Sequence, residues 1–420
     1  MRFLHTSDWH LGNRLMEHSR HEEFEAFLDW LLNTMKQQRI DVLLVSGDLF
    51  DNTTPSDSTQ ALYCDFLSKA DTTGCRQIIL TAGNHDGCTQ LEKAKSLLTR
   101  HHVSLTTRLS RDNPLACRIS IPDDSGKEAA TVYAVPFLRI PDVALPVAAD
   151  APREERDTAY TRGIAELYQA LEEDARATRA QHGGPMIAMG HLAVQGTTLT
   201  GSTRSCIGTL DTVGDSIFGE SFDYVALGHI HHPGCPSSRT DRIRYSGSPL
   251  AMGMDEAGYP HEVLLIDCDG QDVRITPIPV PRFVNFESCT CSTPDELHAL
   301  PAQLKARAMD HACRDGLEEA RPIWLHLTYS GTDMSLHALN SFLEGIAAET
   351  GIDHFRARLT EHRAASPAGD VASLTQLTPE DVFQRRLVET EGDTPRSDEE
   401  RQRLAQLFSQ VLSELTAPQA

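Results

Sequence analysis

The stretch QIILTAGNHD, Gln77–Asp86, decides the fold because it joins an apolar run directly to a polar turn. Its first half is a short series of β-branched and aliphatic residues, which is typical of a strand buried on both faces of a parallel sheet. Its second half places Asn84 and His85 immediately after that strand. Gly-Asn-His-Asp has no obvious role as an ordinary turn at this point, so we interpret these side chains as ligands or catalytic groups.

The same arrangement occurs five times in the first 280 residues. Each time, a short apolar run ends and a residue able to bind a metal follows. The five stretches are RFLHTSDWH, DVLLVSGD, QIILTAGNHD, PMIAMGH and DYVALGHIH. Helical patterns separate several of them, as in Phe24, Phe27, Leu28, Leu31, Leu32 and Met35, and in Ile164, Leu167, Tyr168 and Leu171. Alternating strands and helices predict a layered α/β fold, in which ligands collect outside the carboxyl ends of the strands.

The composition is that of an ordinary globular protein with two or three domains, since the chain has 420 residues and 40% apolar residues. No apolar run reaches the length of a membrane span, and the N-terminus lacks a signal-peptide pattern. The ten cysteines are scattered, which favours free thiols in the cytoplasm. The net charge of −22 argues against a general basic surface for gripping nucleic acid, although a local positive site built by metal ions is invisible to this count.

The chain divides into four segments by pattern. Residues 1–280 carry the polar strand ends. Residues 281–360 alternate strand and helix without such ends and predict a small α/β accessory domain. Residues 361–377 are small, polar and Pro-containing, which indicates a linker. Residues 378–420 predict two helices. The second has an apolar stripe that either packs on its own chain or docks a partner subunit. The stripe consists of Leu404, Leu407, Phe408, Val411, Leu412 and Leu415.

Seven side chains at the strand ends are candidate metal ligands. Asp8 and His10 point the same way if the backbone is extended, as do His229 and His231, whereas His232 would be a bystander. Seven mixed oxygen and nitrogen donors are too many for one four-coordinate ion and suit two ions of the Mn, Fe or Zn type. The candidates are Asp8, His10, Asp48, Asn84, His191, His229 and His231.

Two divalent ions beside the two carboxylates would leave a positive site that attracts a phosphate ester. His85 follows Asn84 and would point away from it, so it is a candidate general acid, with Asp86 as its orienting partner. The remaining histidines are expected to be strand or solvated residues: His5 in a strand, and His18, His21, His101, His102, His182 and His261 in solvent.

Taken in order, DWH, SGDLFD, AGNHDG, MGH and GHIHHP resemble the calcineurin-like metallophosphoesterase superfamily. Within it, HTSDWHLGNRL and YSGSPLAMGMDE are similar to the SbcD nuclease-subunit family. The resemblance implies a metallophosphoesterase β-sandwich flanked by helices, a small α/β capping domain and a C-terminal helical tail.

The resemblance also implies roles for individual residues. The first metal would be held by Asp8, His10, Asp48 and His231, and the second by Asp48, Asn84, His191 and His229. His85 would be the catalytic histidine. Asp51 departs from some archaeal members, which have histidine there, so a second catalytic histidine is not supported.

The implied activity is Mn²⁺-dependent exonuclease and endonuclease cleavage of DNA, including ends and hairpins, in repair, recombination and replication. An SbcC-type ATPase would be the partner, bound by the tail helices, and the nuclease subunit would form a homodimer within a heterotetramer. No P-loop occurs in this chain, so the ATPase must be another subunit. The alternatives are a binuclear esterase acting on small phosphodiesters or phosphoproteins, and a catalytically silent scaffold.

Overall fold

A computed structural model of the chain describes residues 1–93, 98, 102–148, 150–197, 212–270, 272–314 and 317–360, with residues 403, 404 and 408. Residues 1–360 form one compact unit and 361–420 a second. The predicted linker and tail helices therefore lie almost entirely outside the described residues.

Strands and helices alternate along most of the first unit. The strands are β1 Arg2–Thr6, β2 Arg14–Leu15, β3 His18–Ser19, β4 Val42–Ser46, β5 Gln77–Thr81, β6 Val103–Thr106, β7 Arg118–Pro122, β8 Glu128–Tyr133, β9 Met186–His191, β10 Tyr224–Gly228, β11 Ile243–Tyr245, β12 Glu262–Asp269, β13 Asp272–Pro279, β14 Asn285–Cys291, β15 Ile323–Tyr329 and β16 Ile352–Leu359. The helices are α1 His21–Gln38, α2 Asp57–Ala70, α3 Cys88–Glu92, α4 Ile140–Val143, α5 Arg153–His182, α6 Pro294–Arg314 and α7 Leu336–Thr350.

Two sheets form the body of the molecule. The first sheet has the order β13-β12-β1-β4-β5-β6, with β1, β4, β5 and β6 parallel. The second sheet has the order β11-β10-β9-β8-β7, with only the β7–β8 pair antiparallel. Their facing sides share a buried cluster that includes Phe3 and Leu44 from the first sheet and Met189 and Ala226 from the second. This is the predicted sandwich.

Helices cover the outer face of each sheet, because their apolar residues repeat at helical spacing. Phe24, Phe27 and Leu31 of α1 are fully buried against the first sheet. Leu167 and Leu171 of α5 are buried in the corresponding cluster of the second sheet. The layered α/β fold predicted from the sequence is confirmed.

Residues 285–359 build a separate parallel sheet, the accessory sheet, in the order β14-β15-β16. Helices α6 and α7 pack on one of its faces around Leu325 and Leu327. The strands and helices lie where the sequence pattern predicts them, while the domain boundaries at 280 and 360 stay predictions.

No helix among the described residues is long and apolar enough to cross a bilayer. The nine cysteines that the structure describes are free thiols.

Candidate metal centre

The carboxyl ends of the two sheets meet at Ser46, the last residue of β4. Its hydroxyl donates a hydrogen bond to the carbonyl of Ala226 in β10, at 3.0 Å. Its own carbonyl accepts a hydrogen bond from Nδ1 of His191 at the end of β9, at 2.8 Å. This contact brings the polar turns after β1, β4 and β5 against those after β9 and β10.

Four of the candidate ligands lie in the left-handed backbone region that non-glycine residues rarely adopt. Asp8, His10, Asp48 and His229 have φ angles of 51°, 47°, 50° and 91°. Extended backbone is therefore the wrong reason for Asp8 and His10 to share a side, although the structure does bring them together. Backbone hydrogen bonds hold the strained turns, such as His10 N to Asp48 O at 3.0 Å.

One group of ligand atoms comes from Asp8, His10 and His231, which are buried and lie within 4.8 Å of one another. Nε2 of His10 is 3.2 Å from Nε2 of His231. Two imidazole nitrogens this close must share a proton or face a common cation.

A second group comes from Asp8, Asp48 and His191, again within 4.8 Å. Oδ2 of Asp48 lies 3.3 Å from Nε2 of His191 and 3.6 Å from Nε2 of His10. Asp8 thus belongs to both groups, and the Asp48 carboxylate lies beside one histidine of each.

Asn84 completes the second group on the side of the second sheet. Its Oδ1 lies 3.0 Å from Nε2 of His191 and 3.0 Å from Nδ1 of His229. The structure thus brings all seven candidate ligands to one place.

The cluster is built to stabilise positive charge. Asp8 and Asp48 are buried, and neither pairs with a lysine or arginine in the described part of the chain. Burial opposes a charged imidazole, but the Asp48 carboxylate outweighs it and raises the pKa of His191 to about 9. Burial and the neighbouring His191 lower the pKa of His229 to about 3. Buried carboxylates need compensating positive charge, which a protonated His191 supplies but His229 does not, and which bound cations would also supply.

Two glycines allow the polar turns to approach so closely. A Cβ atom on Gly83 would lie 2.0 Å from Oδ1 of Asp48, and one on Gly47 would lie 2.1 Å from Nδ1 of His191. Any larger residue would push a candidate ligand out of place.

His85 lies beside both groups, because one of its ring nitrogens falls within 4.8 Å of ligand atoms of His10 from the first group and Asp48 from the second. Its Nδ1 donates to the carbonyl of Asp51 at 2.9 Å. The orienting role expected of Asp86 therefore belongs to Asp51. The buried Asp86 carboxylate instead accepts hydrogen bonds from three backbone amides, those of Leu49, Phe50 and Gly83 at 3.1, 3.0 and 2.8 Å.

Glu256 is a buried carboxylate that no sequence motif indicated as part of the site. Its Oε1 lies 2.8 Å from Nδ1 of His231, and its Oε2 accepts a hydrogen bond from the amide of Met252 at 2.8 Å. Burial opposes the charged ring, yet Glu256 raises the pKa of His231 to about 9. The conspicuous stretch Tyr245–Glu256 contains Glu256, but nothing in its spacing points to His231.

Two of the histidines expected in solvent are packed. His18 stacks on His354 of the accessory sheet, with ring centroids 3.7 Å apart. His261 is half-buried, with Nδ1 2.9 Å from the carbonyl of Ser248. His232 points away from the cluster: its Nδ1 bonds to the carbonyl of Pro233 and its ring packs on Tyr259.

Two protein-family models match the chain. Residues 1–233 match the calcineurin-like phosphoesterases. Residues 283–391 match a model described as the type 5 capsule protein repressor C-terminal domain. The fold, the histidine and aspartate cluster and the first match define a metallophosphoesterase, a hydrolase of a family with a dinuclear metal site.

Curated relatives extend over nearly the whole chain. The SbcD subunit of the SbcCD nuclease of Escherichia coli K12 is 32% identical over 99% of this chain and 98% of its own length. Its counterpart in Rhodobacter capsulatus is 34% identical over 91% of this chain and 93% of its own. That of Bacillus subtilis is 32% identical over 64% and 66%. The chain belongs to the family of SbcD nuclease subunits, and the resemblance seen in its motifs is confirmed.

We expect Glu256→Gln to weaken metal binding by about tenfold or more, because a neutral partner makes His231 a poorer ligand. The affinity for Mn²⁺ can be measured by isothermal titration calorimetry on the full chain. The matched control is Glu262→Gln, a half-buried carboxylate on β12 that is not bonded to the cluster. Equal affinities for the two variants would contradict a role for Glu256.

Proposed function

We propose that this chain is the nuclease subunit of an SbcCD-type complex and hydrolyses DNA phosphodiester bonds with two Mn²⁺ ions. It would act as an exonuclease and endonuclease on ends and hairpins, in cytoplasmic DNA repair, recombination and replication. The observation that carries the proposal is the convergence of seven ligand-type side chains from five strand ends in a chain of this family.

The donor set fits two divalent ions. Asp8, His10, Asp48 and His231 would hold one, and Asp48, Asn84, His191 and His229 the other. Bound ions would supply positive charge to the phosphate and lower the pKa of water. The mixed oxygen and imidazole donors suit Mn²⁺.

His85 would be the catalytic residue that faces the leaving group. With Nδ1 engaged by the carbonyl of Asp51, Nε2 would be the ring nitrogen that acts on a substrate. In its doubly protonated form, it would from that position hydrogen-bond the scissile phosphate and donate its Nε2 proton to the departing alkoxide oxygen, which leaves the ring neutral with Nδ1–H on Asp51.

The accessory sheet offers a local basic surface on this acidic chain. Strand register sets Ser288, His326 and Arg356 in one row and Thr290, Thr328 and Arg358 in the next, on the face opposite the helices. Both arginines are exposed and none of the six residues is acidic. DNA phosphates accept hydrogen bonds from guanidinium and hydroxyl groups such as these. We therefore assign DNA contact to this open face of the accessory sheet.

The partner would be an SbcC-type ATPase. The relatives are named as components of the SbcCD nuclease. The tail at 378–420 is the proposed docking segment for this partner, because its apolar stripe needs a surface to cover it. We also propose that two nuclease subunits form a homodimer within a heterotetramer.

We expect the full chain with its ATPase partner to cleave labelled linear and hairpin DNA in Mn²⁺ and ATP, and chelation to stop it. His85→Ala should slow cleavage by roughly 10²- to 10⁴-fold, since a general acid is lost. Bis(p-nitrophenyl) phosphate should be less affected, because nitrophenolate leaves without a proton.

His232→Ala is the matched control, a neighbouring histidine turned away from the cluster, and should keep nearly full activity. Absence of DNA cleavage in every condition, with rapid turnover of a small phosphodiester, would favour the esterase alternative.

Replacing both Arg356 and Arg358 with serine should reduce the slope of log affinity for duplex DNA against log salt concentration. Each lost phosphate contact lowers that slope by about 0.9, and fluorescence anisotropy at several salt concentrations measures it. Arg76→Ser is the control, since Arg76 is already paired with Asp41 and Asp124. An unchanged slope would show that the open face of the accessory sheet does not contact DNA phosphates.

Deleting residues 378–420 should abolish binding to the ATPase partner and leave the metal content unchanged. Replacing Leu407 and Leu412 of the stripe with serine should act in the same direction, whereas alanine at Gln406 and Gln410 should not. Co-purification and metal analysis report the two properties, and retained binding of the deletion would refute the docking role.

A further inference from the structure

Arg20, the residue before α1, is a buried arginine beside the candidate site, with only 2% of its surface exposed. Its Nε donates to Oε2 of Glu23 at 2.7 Å, and its Nη1 donates to Oδ1 of Asn13 at 2.9 Å. The guanidinium carbon lies 5.2 Å from the ring centroids of both Phe24 and Phe286.

Stability alone does not explain this arrangement. A buried ion pair loses much of its Coulomb attraction to desolvation, and apolar residues of similar volume often stabilise as well. A guanidinium does offer donors in fixed directions on a planar fork, and its two faces can stack on aromatic rings. Arg20 uses both properties.

A line of hydrogen bonds runs from Arg20 to the candidate catalytic histidine. Asn13 accepts from Arg20 and donates through Nδ2 to Oδ1 of Asp51 at 3.0 Å. The carbonyl of Asp51 in turn accepts from Nδ1 of His85 at 2.9 Å. Each link is within hydrogen-bond distance, so a shift of the guanidinium would weaken the support of the residue that orients His85.

The other side of Arg20 faces the accessory sheet. Phe286 belongs to β14 and packs in a small cluster with Trp324 of β15 and Ala251, against which Leu15 and Met16 of the β2–β3 hairpin lie. Arg20 therefore contacts both the accessory sheet and the hydrogen bonds that reach His85.

We infer that Arg20 is a positioning residue: through Asn13 and Asp51 it holds the imidazole of His85 and makes that orientation depend on the seating of the accessory sheet. The inference rests on the proposed role of His85 in phosphodiester hydrolysis. It assigns no contact between Arg20 and the substrate.

The test compares Arg20→Lys in the full chain with Arg179→Lys, a matched change at a half-buried arginine that pairs with Asp223. Lysine keeps the charge but lacks the fork that spans Glu23 and Asn13. Substrates are a DNA oligonucleotide and 2′,3′-cyclic AMP, a small phosphodiester that also has an alkoxide leaving group. We expect kcat to fall about tenfold for Arg20→Lys, with little change in KM or in Mn²⁺ content, since small misplacements of a catalytic group are costly.

A double-mutant cycle separates positioning from folding. In the His85→Ala background, Arg20→Lys should cause no further loss of kcat, because the group it positions is gone. Asn13→Ala interrupts the same series of hydrogen bonds at a less buried residue. Alone it should lower kcat as Arg20→Lys does, and in the His85→Ala background it should cause no further loss of kcat. Phe286→Leu should give a smaller loss in the same direction.

A loss that persists in the His85→Ala background, or one that follows a fall in Mn²⁺ content, would overturn the inference. So would an unchanged kcat in Asn13→Ala. If 2′,3′-cyclic AMP obeys the cycle while DNA is not cleaved, the DNA assignment fails and the positioning role of Arg20 stands. If His85→Ala is as active as the parent on both substrates, the inference falls with the role of His85.

Discussion

The hydrogen bonds at Ser46 are the contact on which the rest of the structure depends. They join the carboxyl end of β4 to the ends of β9 and β10, through Ala226 and His191. A parallel sheet can gather ligands only along its own edge. Because the ends of two sheets meet here, aspartates and an asparagine from one sheet face histidines from the other, and mixed oxygen and nitrogen ligand sets become possible.

The junction of the two sheets at Ser46 also determines the electrostatics of the ligand cluster. Burying Asp8 and Asp48 would be costly if nothing compensated their charge, and the described residues place no lysine or arginine beside them. The raised pKa values of His191 and His231, both about 9, express the same demand for positive charge. The left-handed backbone at Asp8, His10 and Asp48 adds strain that only a well-packed surrounding can hold. Bound cations would offset these free-energy costs, because their positive charge compensates the buried carboxylates.

The accessory sheet contacts residues that lead towards this cluster. One row of its open face, including Trp324 and His354, packs on the β2–β3 hairpin through His18. Arg20 continues that contact inward towards His85. The following rows present arginine and hydroxyl groups, so a net charge of −22 coexists with a local surface suited to phosphates. Substrate contact and catalytic geometry would thus be linked within one compact unit.

Much of this molecule was predictable from local sequence. The apolar runs before Asp48, Asn84 and His229 predict strands, and the spacing of Phe24, Phe27 and Leu31 predicts α1, because a side chain's burial within one element depends on the period of that element. The grouping of seven polar side chains at five strand ends followed from the rule that parallel strands present their carboxyl ends together. The motifs also identified the family correctly.

Other features were decided only by tertiary structure. The expectation of extended backbone at Asp8 and His10 was wrong because backbone contacts with the turn after β4 impose a left-handed conformation. Asp86 accepts hydrogen bonds from backbone amides rather than supporting His85, and Glu256 contacts His231 from 25 residues further along the chain. His18 packs on a strand near the far end of the same compact unit. By itself, the sequence determined the strands, the helices and the chemical types at the strand ends, since these depend on neighbours along the chain. Which of those side chains touch, and which groups orient them, depends on packing between distant segments, for which residue spacing carries no signal.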